Sequence, residues 1–430
     1  MQLSRRAFLE LAGKAGLVFP FLLGPSGCAV QIIDKFDTDT GLSLGCVAGD
    51  VTSDGAVIWL RAEAGSSVSL QYSKDPTLVS SAFADPVTVA SESDYTAGIL
   101  LSGLEPATVY YYRGAVAGKR PGPIARFVTA PAPDDLAVVR FCFSGDTRES
   151  YKPFAIMDAI RAMQPGFFIH LGDTIYADRG GTATRLPEFW AKYRANRDDA
   201  PSQRLFSETS IYVVWDDHEV ADNYEERHPL AAMGRRAFFD YWPVRRNAQE
   251  AGRLYRSFRW GKAVELFLLD VRQYRDRAHE TMLGSRQKEW LFDGLASSSA
   301  IFKVVATPVP FYDGAGRDRW DDYPRERAEL IQWIRQKQIK GIVFISADLH
   351  NAAVARLPGN LGLKEIVTGP MAAPMNAFAL GYSLSFEFFS NQTFNYGMMT
   401  IDPKSSAPHA LVEILDESNG SLYKTRIEAI

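Results

Sequence analysis

The chain has 430 residues, 46% hydrophobic and 23% charged, with a formal net charge of −4. That length and apolar content suffice for a large core and predict two domains. The balanced charge offers no basic excess for binding a phosphate backbone, so no nucleic-acid module is expected. No run of about 18 uncharged apolar residues exists to cross a bilayer.

At the N-terminus, MQLSRRAFLE places Arg5 and Arg6 ahead of the short apolar run LVFPFLLG. The order is that of a signal peptide, and the run is too short for a membrane span. With Phe8 and Leu9 following, the pair resembles the twin-arginine export signal. Residues 1–29 are therefore set apart as such a signal. The resemblance implies passage of the folded protein through the twin-arginine machinery to the periplasm, cell surface or medium. Cys28, in PSGCA, stands where a lipoprotein signal carries its acylated cysteine, although Pro25 replaces the preferred leucine. Lipidation of Cys28 and ordinary cleavage after Ala29 are both open, and this anchor is the one membrane link expected. Cys46 and Cys142 lie in apolar runs and read as buried free thiols, too few for a disulfide framework.

Residues 42–130 carry short alternating runs, VTSDGAVIWLRA, SSVSLQYSKD, TAGILLSGL, ATVYYYRGAV and IARFVTA, separated by Gly, Pro, Ser and Asp. That spacing predicts a small β-sandwich. Within LEPATVYYYR, Leu104, Pro106, Thr108 and Tyr110 resemble the tyrosine corner of fibronectin type III domains. PAPDD, residues 131–135, reads as a linker.

From 136 to 430 the pattern changes to strand-length apolar runs alternating with helical stretches such as KPFAIMDAIRAMQ and PRERAELIQWIRQKQ. This predicts an α/β domain with covered sheets. VVRFCF runs into SGDTR, FFIHL into GDTIYAD, IYVVW into DDHEV, ELFLL into DVRQYR, and GIVFIS into ADLHN. KVVA and EIV, followed by TPVPFY and TGP, lack the aspartate. Ligands of α/β proteins bind beyond the carboxyl ends of strands, so these turns should converge. A single such Asp serves well as a helix cap or turn former; aspartates after so many strand ends call for cations, because crowded carboxylates otherwise repel.

Asp173 is the expected bridging ligand, since Gly172 lets the backbone turn sharply into the site. Asp146 and His350 complete one ion position, with Tyr176 adding a phenolate; Asp217 and Asp348 serve the other. The first donor set suits a hard ion of high charge such as Fe(III), the second Ca, Mg or Mn. Two ions about 3.5–4 Å apart clamp a phosphoryl group and acidify a bound water. Asp216 should point away and orient a neighbour. His170, inside a strand, reads as a core or supporting residue. Asn223 could reach the second ion or merely form a turn. Arg148 and Arg272 are candidate phosphate clamps, each also readable as a structural ion pair. The pairs Arg235-Arg236 and Arg245-Arg246 read as solvated helix faces.

GDTIYAD, VVWDDHEVADNY, FLLDVRQYRD, LGSRQKEWL and SADLHN, in this order, resemble the alkaline phosphatase D (PhoD-like) branch of the calcineurin-like metallophosphatases. The resemblance implies a four-layer α/β/β/α metallophosphatase core preceded by a fibronectin type III-like β-sandwich. It implies metal-dependent hydrolysis of phosphate mono- and diesters with Fe(III) and Ca(II). His218 is then the residue that steadies the phosphoryl group or protonates the leaving alcohol. Asp146 stands where the family often has a cysteine, which leaves Mn, Zn or Fe open at the first position. ATPVPFY lacks the histidine of many metallophosphatases, which makes the second site richer in oxygen. Two further readings are a diesterase specialised for phospholipids or cell-wall polymers, and a surface-anchored binding protein without catalysis.

Overall fold

The strand-length runs form two large sheets. In this computed structural model, residues 36–225, 227–312, 314–357, 362–376 and 386–429 are described. The signal-like segment 1–29 and Cys28 lie outside them. A nine-stranded sheet has the parallel strands Val139–Ser144, Phe167–Leu171 and Ser210–Val214 side by side at its centre. In a seven-stranded sheet Val264–Leu268, Phe302–Ala306, Ile342–Ser346 and Lys364–Val367 are neighbours and parallel.

Alternation along each strand separates the layers. Phe141, Phe143, Phe167 and Ile169 enter the core between the sheets, where they meet Leu266, Val304 and Ile345. Cys142, Phe168 and Val213 face outward and are covered by the helices Ala155–Ala162, Leu186–Arg197, Ala200–Glu208 and Ala231–Tyr241. Helices Gly284–Ser297 and Pro324–Lys337 cover the other sheet. The result is the α/β/β/α layering. Burial on both faces explains why the strands read as unbroken apolar runs.

The N-terminal strands divide between two sheets. Leu42–Gly49, Gly55–Ala62 and Thr96–Ser102 continue the nine-stranded sheet, Leu42–Gly49 running parallel to Ser210–Val214. Ser67–Ser73, Val109–Val116 and Ala125–Val128, with two short edge strands, make a five-stranded sheet facing them. The amide of Glu105 donates to Tyr110 Oη at 3.0 Å, the hydrogen bond of a tyrosine corner. Cys46 and Cys142 are free and buried. Arg235 and Arg236 lie on the helix Ala231–Tyr241, but Arg245 and Arg246 follow it, because Pro243 prevents its continuation. No helix among the described residues is long and apolar enough to cross a membrane.

Candidate metal centre

The carboxyl ends of the central strands of both sheets point to one edge, and their turns are stitched together. The amide of Asp146 donates to Gly172 O at 3.2 Å and that of Thr147 to Asp173 O at 2.9 Å. From the other sheet, Ala372 donates to Asp146 O at 3.0 Å, while Arg148 donates to Ala372 O at 2.8 Å. The turns are tight. Asp146, Asp173, Asp348, His350 and Asn223 all adopt left-handed backbone, with φ of 66°, 52°, 66°, 55° and 55°. Asp, Asn and His tolerate that region best among residues with a side chain, and such strain concentrates at functional sites. Gly172, at φ 106°, is required: a Cβ there would lie 2.7 Å from that of Asp216.

Ligand-type atoms gather in overlapping groups. Asp146, Asp173 and His350 offer atoms within 4.8 Å of one another, as do Asp173, Asp217 and His218, and Asp216, Asp217 and Asp348. Asp173 belongs to two of these groups. Tyr176 Oη lies 3.2 Å from His350 Nε2, so the phenol joins the first group. His350 Nδ1 sits 2.5 Å from the carbonyl of Pro374, which fixes the ring and leaves Nε2 inward, 3.7 Å from Asp146 Oδ1.

Two buried oxygens, Asp146 Oδ2 and Asp217 Oδ1, have no hydrogen-bond partner among the described residues. A Cβ on Gly369 would collide with Asp146 Oδ2, so the backbone also leaves this oxygen room. Burial, then the charges of Asp348, Asp216 and Asp217, push Asp146 well above the usual carboxylate range. Burial and the charges of Asp217, Asp216 and Glu219 do the same to Asp173. Cations reverse both effects, and the donor types fit them.

Part of the charge is offset within the protein. Arg272 Nε donates to Asp216 Oδ1 at 2.5 Å, its Nη1 to Asp318 Oδ2 at 2.7 Å, and its Nη2 lies 3.4 Å from Asp217 Oδ1. Burial pushes Asp217 upward, but Arg272 and His218 hold it below the usual range. Of the two readings of Arg272, the structural ion pair is the one its surroundings match: the side chain is fully buried among carboxylates. Asp216 is the neighbour that fixes it. Asn223 takes the turn role of the two left open for it. Its side chain is exposed, and its amide donates to Asp217 Oδ2 at 2.6 Å, so it acts through the backbone. Arg148 is half-buried near the Tyr176 ring, 5.8 Å from the centroid, and its Nε has no hydrogen-bond partner among the described residues. His170 is buried, 3.1 Å from Thr147 Oγ1, and burial depresses its pKa to about 3.

His218 packs against Tyr176, the ring centroids 4.2 Å apart and the planes tilted by 31°. Its Nδ1 lies 2.7 Å from Asp178 Oδ1 and its Nε2 4.0 Å from Asp173 Oδ2. Burial disfavours its charge, yet Asp178 and Asp217 outweigh that and raise its pKa. Sequence reasoning missed Asp178, Glu219 and Arg319 as participants. Asp178 ends the motif GDTIYAD and Glu219 sits within DDHEV, so both were in view; Arg319 lies in a loop without a recognisable pattern.

Residues 138–385 match the PhoD-like phosphatase family and residues 27–131 its N-terminal domain. The chain belongs to the PhoD-like phosphatases. It is a phosphoric ester hydrolase of metallophosphatase fold. Alkaline phosphatase D of Bacillus subtilis (strain 168) is 25% identical over 425 residues, covering 82% of this chain and 72% of the relative. A structure of PhoD superposes with a TM-score of 0.78 at 21% identity, covering 91% of this PhoD-like chain and 94% of that one. A purple acid phosphatase from yellow lupin (Lupinus luteus) seeds gives 0.66 at 13% identity, covering 90% and 74%. Both share the fold.

Proposed function

We propose that this PhoD-like phosphatase hydrolyses phosphate mono- and diesters with two kinds of metal ion at the edge where the sheets meet. The observation that carries this reading is the pair of buried oxygens without a hydrogen bond among the described residues, Asp146 Oδ2 and Asp217 Oδ1, in overlapping ligand groups. Asp146, Asp173, His350 and Tyr176 would hold the first ion, a donor set suited to Fe(III), Mn or Zn. Asp173, Asp217 and Asp348 would hold the second, an oxygen set suited to Ca or Mg. Such ions polarise phosphoryl oxygens and lower the pKa of water.

The chain's own residues supply the rest. Arg148 donates to the phosphate through a guanidinium that no carboxylate of the described residues occupies. Asp178 fixes the His218 ring so that Nε2 faces the site and donates a proton to the departing alkoxide. We propose export through the signal-like segment carrying Arg5 and Arg6, with the mature chain acting outside the cytoplasm; replacing both arginines by lysine should retain the precursor in the cell.

The test uses chelator-stripped protein, to which Fe, Mn, Zn, Ca and Mg are returned singly and in pairs. A transition metal combined with Ca or Mg should restore ester hydrolysis, and Asp173→Asn should not respond. Failure of every combination on both ester types would overturn the reading.

A further inference from the structure

Asp318 and Arg319 are adjacent in the chain but grip different parts of the site. Asp318 binds Arg272 and Arg275. Arg319 Nε donates to Asp348 Oδ2 at 2.6 Å and its Nη1 to Arg317 O at 2.6 Å. The third nitrogen, Nη2, makes no hydrogen bond to any described residue. Exposure rises outward through these side chains, from 0% at Arg272 to 11% at Asp348 and 20% at Arg319. A buried cation therefore neutralises the inner carboxylates, while a second, partly exposed cation sits over the outer one, three of its five N–H groups making no hydrogen bond to any described residue.

We infer that Arg319 contacts the phosphate of the substrate and, with Arg148, selects the dianionic phosphate of a monoester over the monoanionic phosphate of a diester. The inference rests on the proposed phosphoesterase reading. Arg148 flanks the group of Asp146, Asp173 and His350; Arg319 flanks that of Asp216, Asp217 and Asp348. A phosphate spanning both groups meets a guanidinium on each side. Among the described residues, neither Nε of Arg148 nor Nη2 of Arg319 has a hydrogen-bond partner. A monoester presents three unsubstituted oxygens and two charges to these donors. A diester presents two such oxygens and one charge, and its second alkyl group must fit beside Arg319 without a hydrogen bond, leaving a desolvated donor unsatisfied.

The test compares wild type, Arg319→Met and Arg319→Lys on 4-nitrophenyl phosphate and bis(4-nitrophenyl) phosphate, which release the same alcohol. It also measures bound metal and, by calorimetry, the Kd of inorganic phosphate. Arg319→Met should raise KM for the monoester and the phosphate Kd by about tenfold or more, with kcat/KM for the diester changed less than about threefold. Metal content should stay constant, and lysine should restore part of the loss. Equal losses on both esters, or a fall in bound metal with an unchanged phosphate Kd, would make Arg319 a structural counter-ion and overturn the proposal. If wild type hydrolyses neither ester, the phosphoesterase reading fails separately, and the phosphate Kd still decides the role of Arg319.

Discussion

Glu219 accepts hydrogen bonds from the amides of Asp173, Thr174 and Asp216 and from the hydroxyl of Thr174, at 2.6–3.2 Å. One buried carboxylate thus fastens two adjacent strand ends, each bearing candidate ligands. A glutamine keeps the volume but offers one acceptor oxygen in place of two and turns an N–H₂ toward backbone donors. Glu219→Gln should therefore cost about 1–3 kcal/mol of stability. It should also weaken metal binding by about 10–100-fold, measured by competition with a chromogenic chelator. Asp178 acts on the other side, through His218 Nδ1. Asp178→Asn should lower kcat by about 100-fold on an alkyl phosphate, whose alkoxide must be protonated. An aryl ester that releases a stable phenolate should be affected far less. Equal losses on the two esters would argue against His218 as the acid.

Among the elements, the strand Lys364–Val367 ties a loop to the seven-stranded sheet through Glu365. Its carboxylate accepts from the amides of Phe311 and Tyr312 and from Ser346 Oγ, at 2.8, 2.7 and 2.6 Å. Burial, only partly opposed by those donors, pushes its pKa from 4.5 up to about 7. A carboxyl whose folded pKa is raised binds its proton more tightly in the folded state. Its contribution is complete below about 4.5 and is lost as the pH rises to about 7. The full effect is at most about 3 kcal/mol. The urea midpoint of wild type, minus that of Glu365→Gln, should fall across this window and stay flat above it. Elements of this kind were well marked in the sequence. VVRFCF, FFIHL, KVVA and GIVFIS all became strands, because a sheet covered on both faces needs continuous apolar runs. The segment ADRGGTATRLPEFWAKYRANRDDAPSQRLF was less legible. Its two helices bury Phe189, Tyr193, Leu205 and Phe206 against the outer face of the nine-stranded sheet. Leu186–Arg197 has little helical amphipathicity to announce it, since buried Lys192, Arg194 and Arg197 interrupt its apolar face.

At the scale of the molecule, the N-terminal strands are part of the sheet that carries the site. Leu42–Gly49 covers the edge of Ser210–Val214, whose end delivers Asp216, Asp217 and His218. Asp50 pairs with Arg256 at 2.9 Å, and Trp59 Nε1 donates to Asp240 O at 2.8 Å. Arg197 stacks between Trp59 and Trp242, 4.2 and 4.8 Å from their ring centroids. A chain beginning at residue 136 would expose that edge and leave the half-buried Arg256 without its carboxylate. It should be insoluble or lack a cooperative thermal transition, whereas the full chain should unfold as one unit. A soluble, metal-binding fragment would contradict this.

The sequence by itself determined the strands and the residue types at their carboxyl ends, because both follow from local pattern: apolar runs for covered strands, Gly and Asp where the backbone turns sharply. It therefore yielded Asp146, Asp173, Asp217, Asp348 and His350 as one constellation. Only the tertiary structure decided which cation faces which carboxylate. Arg272 and Arg148 look alike in sequence, each shortly after an aspartate at a strand end. One is sealed among Asp216, Asp217 and Asp318, the other left open beside Tyr176. Arg319 had no local signal at all. The reason is physical: charge pairing depends on distances between chain segments, and the partners of Arg272 come from loops of two different sheets.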